Sequence, residues 1–379
     1  MKLSQQQANE RLIRKQDYSA CTEAFLDCRL PGSVPKENYS LIGPGVTQSK
    51  SQVINLKEPH GFNIGAAAMP HGITNNLHIH FTAEVFMCLR GQWKFRWGAK
   101  GEQGEFIANK FDILSVPTWI FRGFTNVGDD NGWLFTCLGG DDTGGVIWSP
   151  DIMEAANKTG LYLSETNELI DIKNGDKLPE GVSYIKPFPK TEVSKLRKFS
   201  FEEMSSYIVT KNERVFSHNA LLDSILEGHK SEIAPVIGFG ITQDRNQQPK
   251  IVNPHGFTIE WLRIKPKQKV GPFKIEPKMV LILMSGNAHL TFNIDEPTAH
   301  VSMSEEDTYS IPQNVWRTIE NISEDHDAEF IVITTGDSRK RPEFSPSIVQ
   351  SAQRSGWETD ANGYIVPTGL IINNHLLKG

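Results

Sequence analysis

Short apolar runs, separated by glycine, asparagine and aspartate, dominate the pattern of hydrophobic and polar positions along the chain. The runs are four or five residues long, which is the length of a β-strand, and no long helical periodicity separates them. Strands at this density are typical of a sandwich or a barrel, so we predict an all-β fold with short flanking helices. Helix-compatible segments occur at Gln5–Lys15 and Phe201–Tyr207. The predicted strands include Val85–Leu89, Trp93–Trp97, Ile113–Val116, Val280–Met284, His289–Phe292 and Phe330–Thr334.

The sequence repeats itself at an offset of 195 residues. Ile42–Gln48 recurs as Ile237–Gln243, and Pro59–Phe62 recurs as Pro254–Phe257. The same offset carries four further residues onto identical ones, namely Asp112, Pro117, Arg122 and Asn126. Self-similarity of this kind indicates two copies of one structural unit in tandem.

The repeat sets the predicted domain boundaries. We expect an N-terminal arm over residues 1–35, a first barrel over residues 36–185, a helical linker over residues 186–215 and a second barrel over residues 216–379. After each copy, serine precedes proline, at Ser149–Pro150 and at Ser345–Pro346, and glycine follows at Gly160 and Gly356. Serine, proline and glycine in this order mark the two ends of a helix. Each barrel is therefore predicted to end in a short helix.

Composition narrows the classes of function. The 379 residues carry 39 Lys and Arg against 45 Asp and Glu, a net charge of −6, and basic residues form only short clusters, so no nucleic-acid partner is expected. The longest apolar run, Met279–Met284, is far shorter than the roughly 18 residues of a membrane-spanning helix, so no membrane partner is expected. The N-terminus lacks the apolar segment of a secretory signal, and the four cysteines lack zinc-site spacing. We therefore expect a cytoplasmic protein with reduced thiols.

One cluster of side chains points to metal chemistry. His78 and His80 lie two residues apart in a predicted strand, so both imidazoles face the same side, and Glu84 begins the next apolar run. Two imidazoles and a carboxylate form a facial set for a divalent transition metal, and iron(II) is the usual occupant where coordination positions stay open. The predicted cofactor is one divalent metal, Fe(II) first, with Mn, Ni, Cu and Zn as alternatives. His71 is a further candidate ligand, and the simpler interpretation is that it is an ordinary histidine in a loop.

The spacing of these residues resembles the first motif of the cupin superfamily. The chain reads Gly72, five residues, His78-Ile79-His80, three residues, Glu84, six residues and Gly91. The doubled unit resembles a bicupin, and this resemblance implies two tandem cupin (jelly-roll) β-barrels with short flanking helices.

The family's second motif matches less well. Pro117 and Asn126 match it, whereas Phe111 and Trp119 replace its glycines and Arg122 replaces its last histidine. A guanidinium has no lone pair to give a metal. The ligand set implied by the resemblance is therefore reduced to His78, His80 and Glu84.

The second copy predicts where the chemistry lies. At the offset, His78, His80 and Glu84 become Phe273, Ile275 and Met279, which bind no hard or borderline metal. We expect the second barrel to be degenerate and filled by its own core. His60 and His255 occur in both copies, so a structural role in a turn is expected for both.

Arg122 has two candidate roles that can coexist. It could hold a substrate carboxylate with its forked guanidinium, or it could pair with Glu84 in a barrel without metal. Trp119 and Phe121 flank it and are candidate substrate-binding residues of an apolar pocket. Glu84 and Arg122 are the candidate catalytic residues, with Glu84 as a possible base.

By resemblance to cupin dioxygenases, such as quercetin and gentisate dioxygenases, the expected activity is that of a metal-dependent oxidoreductase. Its substrate would be a small organic molecule, with a carboxylate-bearing molecule as one expectation. Two alternatives stay open because the fold alone does not select the reaction: a non-catalytic, metal-free barrel that binds a small ligand, and a metal-dependent lyase or isomerase. The partner is a small-molecule substrate, and a homodimer through the N-terminal arm is also open.

Overall fold

The computed structural model describes residues 2–370, and these residues form mainly β-structure, with 38% of the chain in strands and 13% in helices. They divide into two compact units. The N-terminal unit comprises Tyr18–Glu213, and the C-terminal unit combines the described residues before Tyr18 with those from Arg214 onward. No helix in this part of the chain combines the length and the apolar character needed to cross a membrane.

The residues before Tyr18 form a short helix, an edge strand and a 3₁₀ turn: α1 (Gln5–Asn9), β1 (Leu12–Ile13) and Lys15–Asp17. The helix predicted over Gln5–Lys15 thus ends early. Leu12 and Ile13 instead pair with Tyr309 and Thr308 of the C-terminal unit, which buries Ile13. The predicted arm over residues 1–35 is accordingly divided, since the chain from Tyr18 onward packs with the N-terminal unit.

The N-terminal unit contains two large sheets, one β-hairpin and three short helices. Its strands are β2 (Glu37–Ile42), β3 (Ile54–Leu56), β4 (Phe62–Met69), β5 (Thr74–His80), β6 (Glu84–Arg90), β7 (Trp93–Trp97), β8 (Gly104–Ala108), β9 (Ile113–Val116), β10 (Arg122–Asn126), β11 (Gly132–Gly139), β12 (Val146–Trp148), β13 (Leu161–Leu163), β14 (Leu169–Asp171) and β15 (Ile208–Val209). Its helices are α2 (Pro150–Lys158), α3 (Lys190–Val193) and α4 (Phe201–Ser205), with 3₁₀ turns at Ile172–Asn174 and Lys211–Glu213.

The two large sheets of this unit enclose its core. One has five strands in the order β12-β5-β10-β7-β8, and the other has seven in the order β15-β9-β6-β11-β4-β2-β3. Strand β5 belongs to the first sheet and β6 to the second, so the turn at residues 81–83 leads the chain from one sheet to the other. Aromatic side chains fill one end of the core, including Phe86, Trp93, Phe95 and Phe124, whose rings lie 4.8–5.9 Å apart between centroids.

The C-terminal unit repeats this plan. Its further strands are β16 (Ser231–Ile237), β17 (Phe257–Ile264), β18 (Lys269–Lys274), β19 (Met279–Ser285), β20 (Asn287–Phe292), β21 (Ala299–Ser304), β22 (Thr308–Ile311), β23 (Arg317–Asn321), β24 (Ala328–Thr335), β25 (Glu343–Phe344), β26 (Trp357–Thr359) and β27 (Ile365–Pro367). It also contains helix α5 (Pro346–Arg354) and 3₁₀ turns at Leu222–Ile225 and Thr368–Leu370. Its large sheets have the strand orders β1-β22-β19-β24-β17-β16 and β21-β20-β23-β18-β25.

The strands predicted from apolar runs all lie within observed strands, and each barrel is followed by the predicted short helix, α2 or α5. Ser345 caps α5 through its side chain, which accepts from the Ile348 N–H at 3.5 Å. Ser149 occupies the same position before α2, but its hydroxyl donates to the Ala99 carbonyl at 3.2 Å instead. Ser149 and Ser345 therefore share the position before the helix, but only Ser345 makes the capping hydrogen bond.

Residues common to both copies hold equivalent turns. The His60 N–H donates to Asp141 at 2.8 Å, and the His255 N–H donates to Asp337 at 2.7 Å. In each case the ring Nδ1 also lies within hydrogen-bond distance of a backbone carbonyl two residues earlier. Both histidines thus act as turn residues.

Glu260, on β17, is a carboxyl group buried in the C-terminal unit. Its Oε2 accepts from the Ile241 N–H at 2.9 Å, and Oε1 has no hydrogen-bond partner among the described residues. A Cβ at Gly240, where φ is 55°, would lie 1.9 Å from Oε2, so the glycine of the repeated motif is required here. Burial raises the pKa of Glu260 to about 8.

Replacing Glu260 should remove a pH-dependent loss of stability. The unfolded chain releases this proton near pH 4.5, but the folded unit keeps it until about pH 8, so the free energy of unfolding falls as pH rises across this interval. Relative to the wild type, we expect Glu260→Gln to gain about 1–3 kcal/mol between pH 5 and pH 8, measured by urea unfolding. The exposed Glu305→Gln is the control. A Glu260→Gln difference that does not change with pH would contradict the account.

Candidate metal centre

Three neighbouring strands bring the predicted metal ligands together. His78 and His80 end β5, Glu84 begins β6 in the opposite sheet, and Arg122 begins β10. Arg122 is paired with His78 across the β5–β10 ladder, and Val146 of β12 is paired with His80 on the other side of β5. The four polar side chains therefore meet where the two sheets join.

The ligand atoms of His78, His80 and Glu84 all lie within 4.8 Å of one another. The two imidazole Nε2 atoms are 3.1 Å apart, and Nε2 of His80 is 3.3 Å from Oε2 of Glu84. All three residues are buried, with exposed fractions of 3%, 1% and 4%. The sequence spacing thus placed the three side chains correctly in one cluster.

Backbone carbonyls contact both rings. Nδ1 of His78 lies 2.6 Å from the Asn76 carbonyl, and Nδ1 of His80 lies 3.4 Å from the Gly145 carbonyl. Because a carbonyl only accepts, the short contact of His78 assigns the proton to Nδ1 and leaves the lone pair of that neutral ring on Nε2. Burial, together with His80 and Arg122, lowers the pKa of His78 well below its usual range, which keeps this ring neutral.

This arrangement fits a divalent transition metal. The two Nε2 atoms, 3.1 Å apart, lie close enough for one bound cation to contact both, or for one proton to be shared between the rings. Glu84 Oε2 is buried and finds no hydrogen-bond donor in the part of the chain that the structure describes. Imidazole nitrogens whose other nitrogen donates to a carbonyl, beside a carboxylate, are the usual ligands and orienting contacts of such a metal.

Arg122 lies against Glu84 at the edge of this cluster. Its Nε is 3.8 Å from Glu84 Oε2, and its Nη2 donates to the Pro117 carbonyl at 3.2 Å and the Val116 carbonyl at 3.5 Å. Burial lowers the pKa of Arg122 to about 10, opposed by Glu84, so the guanidinium stays charged at neutral pH. It therefore offsets part of the charge of Glu84.

A cavity reaches the cluster from the N-terminal part of the unit. It is partly open to solvent, and His78, His80 and Glu84 line it. Its walls also carry apolar side chains from several strands and from the segment before β2, among them Phe25, Ile64, Met69, Leu138, Val146 and Trp148. Arg122 is not among the lining residues.

The two aromatic candidates lie elsewhere. Trp119, with a φ of 62°, is 43% exposed and packs edge-on against Phe81 with ring centroids 5.5 Å apart. Phe121 is buried, and with Trp119 it lines a separate small pocket near Gly98. His71 is exposed on a turn with its Nδ1 2.8 Å from the Gly128 carbonyl, outside the ligand cluster.

A buried network behind the ligands was missed by the sequence reasoning. Lys36 donates to Asp27 and to Asn75 Oδ1, the latter at 2.8 Å. Oδ2 of Asp27 accepts from the backbone and side chain of Asn76 at 3.0 and 3.1 Å. The Asn76 carbonyl in turn accepts a hydrogen bond from His78 Nδ1. Asp27 therefore holds the backbone segment that orients one of the predicted metal ligands. No motif marks Asp27 and Lys36, because they lie well before β5 in the chain.

In the C-terminal unit the equivalent positions are apolar and buried. Phe273, Ile275 and Met279 belong to the hydrophobic core there. Arg317, the counterpart of Arg122, turns both Nε and Nη2 to the Val315 carbonyl, at 3.0 and 2.7 Å. The expectation that this barrel is filled by its own core agrees with these contacts.

The two sheets of each unit and their tandem repetition match known structures over nearly the whole chain. An oxalate decarboxylase from Lactobacillus farciminis, in complex with formate, shares 13% identity, with 97% of this chain and 95% of that chain covered and a TM-score of 0.54. The 7S globulin of Momordica charantia shares 8% identity, with 94% of each chain covered and a TM-score of 0.54. Both are bicupin proteins. The chain has the bicupin fold.

An oxalate decarboxylase from Bacillus subtilis, described with Mn(II) centres, also matches this bicupin, at 13% identity over 88% of this chain and 79% of that chain, with a TM-score of 0.52. No protein-family model and no curated protein sequence matches the chain. Identities at this level establish a shared fold and no shared activity. The resemblance to bicupins predicted from the first motif and from the internal repeat is confirmed.

Removing both histidines should abolish metal binding without unfolding this bicupin. We expect about one divalent metal per chain in the wild type and almost none in His78→Ala/His80→Ala, because the remaining carboxylate is a weak site alone. Metal content is measured by mass spectrometry on protein purified without added metal or chelator, and folding by circular dichroism. The exposed His71→Ala is the control. Full metal content in the double variant would refute the ligand assignment.

Changing Arg122 to histidine should tighten metal binding. The change removes a positive charge beside Glu84 and adds an imidazole at the same edge of the cluster, so we expect Mn²⁺ or Zn²⁺ affinity to rise at least about tenfold. Competition with a chromophoric chelator measures the affinity. Arg122→Gln, which removes the charge without adding a ligand, separates the two contributions. Equal affinities for the wild type and Arg122→His would show that this side chain does not influence the centre.

Proposed function

We propose that this bicupin is a metal-dependent enzyme that acts on a small, carboxylate-bearing organic molecule in its N-terminal barrel, in an oxidative, dioxygenase-like reaction. The observation that carries the proposal is the buried cluster of His78 Nε2, His80 Nε2 and Glu84 Oε2, in which the two nitrogens are 3.1 Å apart and the oxygen has no hydrogen-bond partner among the described residues. A set of two histidines and one carboxylate leaves coordination positions free for substrate and dioxygen, which favours Fe(II). Mn(II) is the second choice, since the Bacillus subtilis neighbour is described with it.

The chain's own residues supply binding and orientation. His78 and His80 present their Nε2 atoms to the centre, and the Asn76 and Gly145 carbonyls contact the opposite nitrogen of each ring. A metal bound there would polarise substrate oxygen atoms and exchange electrons with dioxygen, whose two atoms both enter the product. The aromatic and aliphatic cavity walls exclude water from the reacting end of the substrate.

Within this proposal, Glu84 is a ligand and a candidate proton acceptor, while Arg122 positions Glu84. The 3.8 Å approach of Arg122 Nε to Glu84 Oε2 and its hydrogen bonds to carbonyls favour this role over direct contact with substrate in the cavity. Trp119 and Phe121 lie outside the cavity lining, and the proposal gives them no role in substrate binding.

Two other functions have an observation in their favour. Decarboxylation, a lyase reaction, is favoured by the oxalate decarboxylase neighbours. A non-catalytic, ligand-binding role is favoured by the 7S globulin neighbour and by the pairing of Arg122 with Glu84, which balances the carboxylate without a metal. The same assay separates all three.

Metal-loaded protein should consume dioxygen in step with a carboxylate substrate. The assay loads the protein with Fe(II) or Mn(II), screens a panel of small aliphatic and aromatic carboxylates, and records dioxygen with an electrode and carbon dioxide by mass spectrometry. We expect equimolar loss of dioxygen and substrate, at least about a hundredfold slower in His78→Ala/His80→Ala and unchanged in His71→Ala. Carbon dioxide released without dioxygen consumption would replace the proposal with decarboxylation. Reversible binding without turnover would replace it with the ligand-binding role.

A further inference from the structure

Lys36 is the one lysine or arginine among the described residues that line the cavity. The side chain is 6% exposed, and it shares this cavity with His78, His80 and Glu84. Arg122, for which substrate binding was one of two predicted roles, does not line the cavity. Lys36, and not Arg122, is therefore the basic residue that borders this space.

The ammonium group is held in place by two acceptors and has a donor to spare. Of its three N–H bonds, one goes to Asp27 and one to Asn75 Oδ1 at 2.8 Å. The third has no hydrogen-bond acceptor in the part of the chain that the structure describes. The nearest feature recorded for it is the face of Phe25, whose ring centroid lies 5.5 Å from Nζ and which also lines the cavity.

Comparison with the second barrel distinguishes the role of Asp27 from that of Lys36. There Asp223 is buried and accepts from the Gly271 N–H at 2.6 Å, as Asp27 accepts from Asn76 in the first barrel. The partner of Asp223 is His229, at 3.2 Å, and not a lysine. An aspartate that ties down this strand is thus common to both barrels, whereas the lysine occurs where the metal ligands occur.

The remaining lining defines what the lysine would hold. Two carboxylates line the cavity, Glu84 at the centre and Glu37, which already accepts from the Tyr39 hydroxyl at 2.6 Å. Most of the other walls are apolar, with the Phe25 ring beside the ammonium and the Trp148 ring 5.4 Å from that of His78. Such a site suits one anionic group attached to an apolar body.

We infer that Lys36 binds the carboxylate of a small organic acid with an apolar body and so sets the substrate class of the N-terminal barrel. This inference rests on the proposed function for its link to catalysis, since it names the substrate class of the same site. The binding itself needs only Lys36 and the cavity, so it is expected in the metal-free protein as well. The spare N–H of Nζ donates to the carboxylate, and the Phe25 and Trp148 rings contact the body.

Binding of benzoate and of its uncharged analogue benzyl alcohol tests the inference. Isothermal titration calorimetry is run at constant ionic strength on the full chain, both metal-free and Mn²⁺-loaded. We expect the wild type to bind benzoate at least about tenfold more tightly than benzyl alcohol. In Lys36→Met/Asp27→Asn, which removes both members of the buried ion pair together, benzoate affinity should fall at least tenfold and benzyl alcohol affinity should not change.

The controls separate the possible failures. Lys57→Met removes an exposed lysine of the same unit and should bind benzoate like the wild type. Lys36→Arg keeps the charge and should retain benzoate binding better than the double variant. A wild type that binds neither benzoate, acetate nor oxalate, or a double variant that keeps wild-type benzoate affinity, would overturn the inference. If the wild type bound benzoate but did not bind Mn²⁺, the result would instead overturn the proposed metal chemistry.

Discussion

The candidate chemistry of the N-terminal barrel depends on two buried imidazoles whose Nε2 atoms lie 3.1 Å apart. The Asn76 carbonyl accepts from Nδ1 of His78, which directs the Nε2 lone pair of that neutral ring to the cluster, and the Gly145 carbonyl lies 3.4 Å from Nδ1 of His80. A buried polar atom without a partner is costly, and Glu84 Oε2 is one beside the two imidazoles. A cation bound to the two Nε2 atoms and to this oxygen gives the burial of these residues a physical reason.

The two barrels show which parts of the repeat serve the fold and which serve the site. The turn contacts of His60 and His255 recur with the same partners, and an aspartate ties down the equivalent strand in both units. The ligand positions differ completely, since Phe273, Ile275 and Met279 are core residues of the C-terminal unit. Polar groups at these positions are therefore not required by the architecture.

Sequence reasoning predicted the fold and the ligand cluster for reasons that the structure makes explicit. Strand periodicity places His78 and His80 on one face, and the internal repeat exposes the apolar substitutions in the second copy. It did not find Asp27 and Lys36, whose relation to His78 arises from long-range packing and hydrogen bonds that no local pattern encodes. It also did not foresee that Trp119 would have a positive φ and line a different pocket.

Anomalous diffraction from crystals grown with manganese(II) chloride tests the central claim most directly. The account predicts one strong manganese peak per chain, within coordination distance of His78 Nε2, His80 Nε2 and a Glu84 carboxylate oxygen, and none in the core around Phe273 and Met279. If crystals grown with saturating manganese(II) chloride showed no manganese peak at the two imidazoles, the account would be contradicted. A hydrogen-bonded water in place of the metal would contradict it as well.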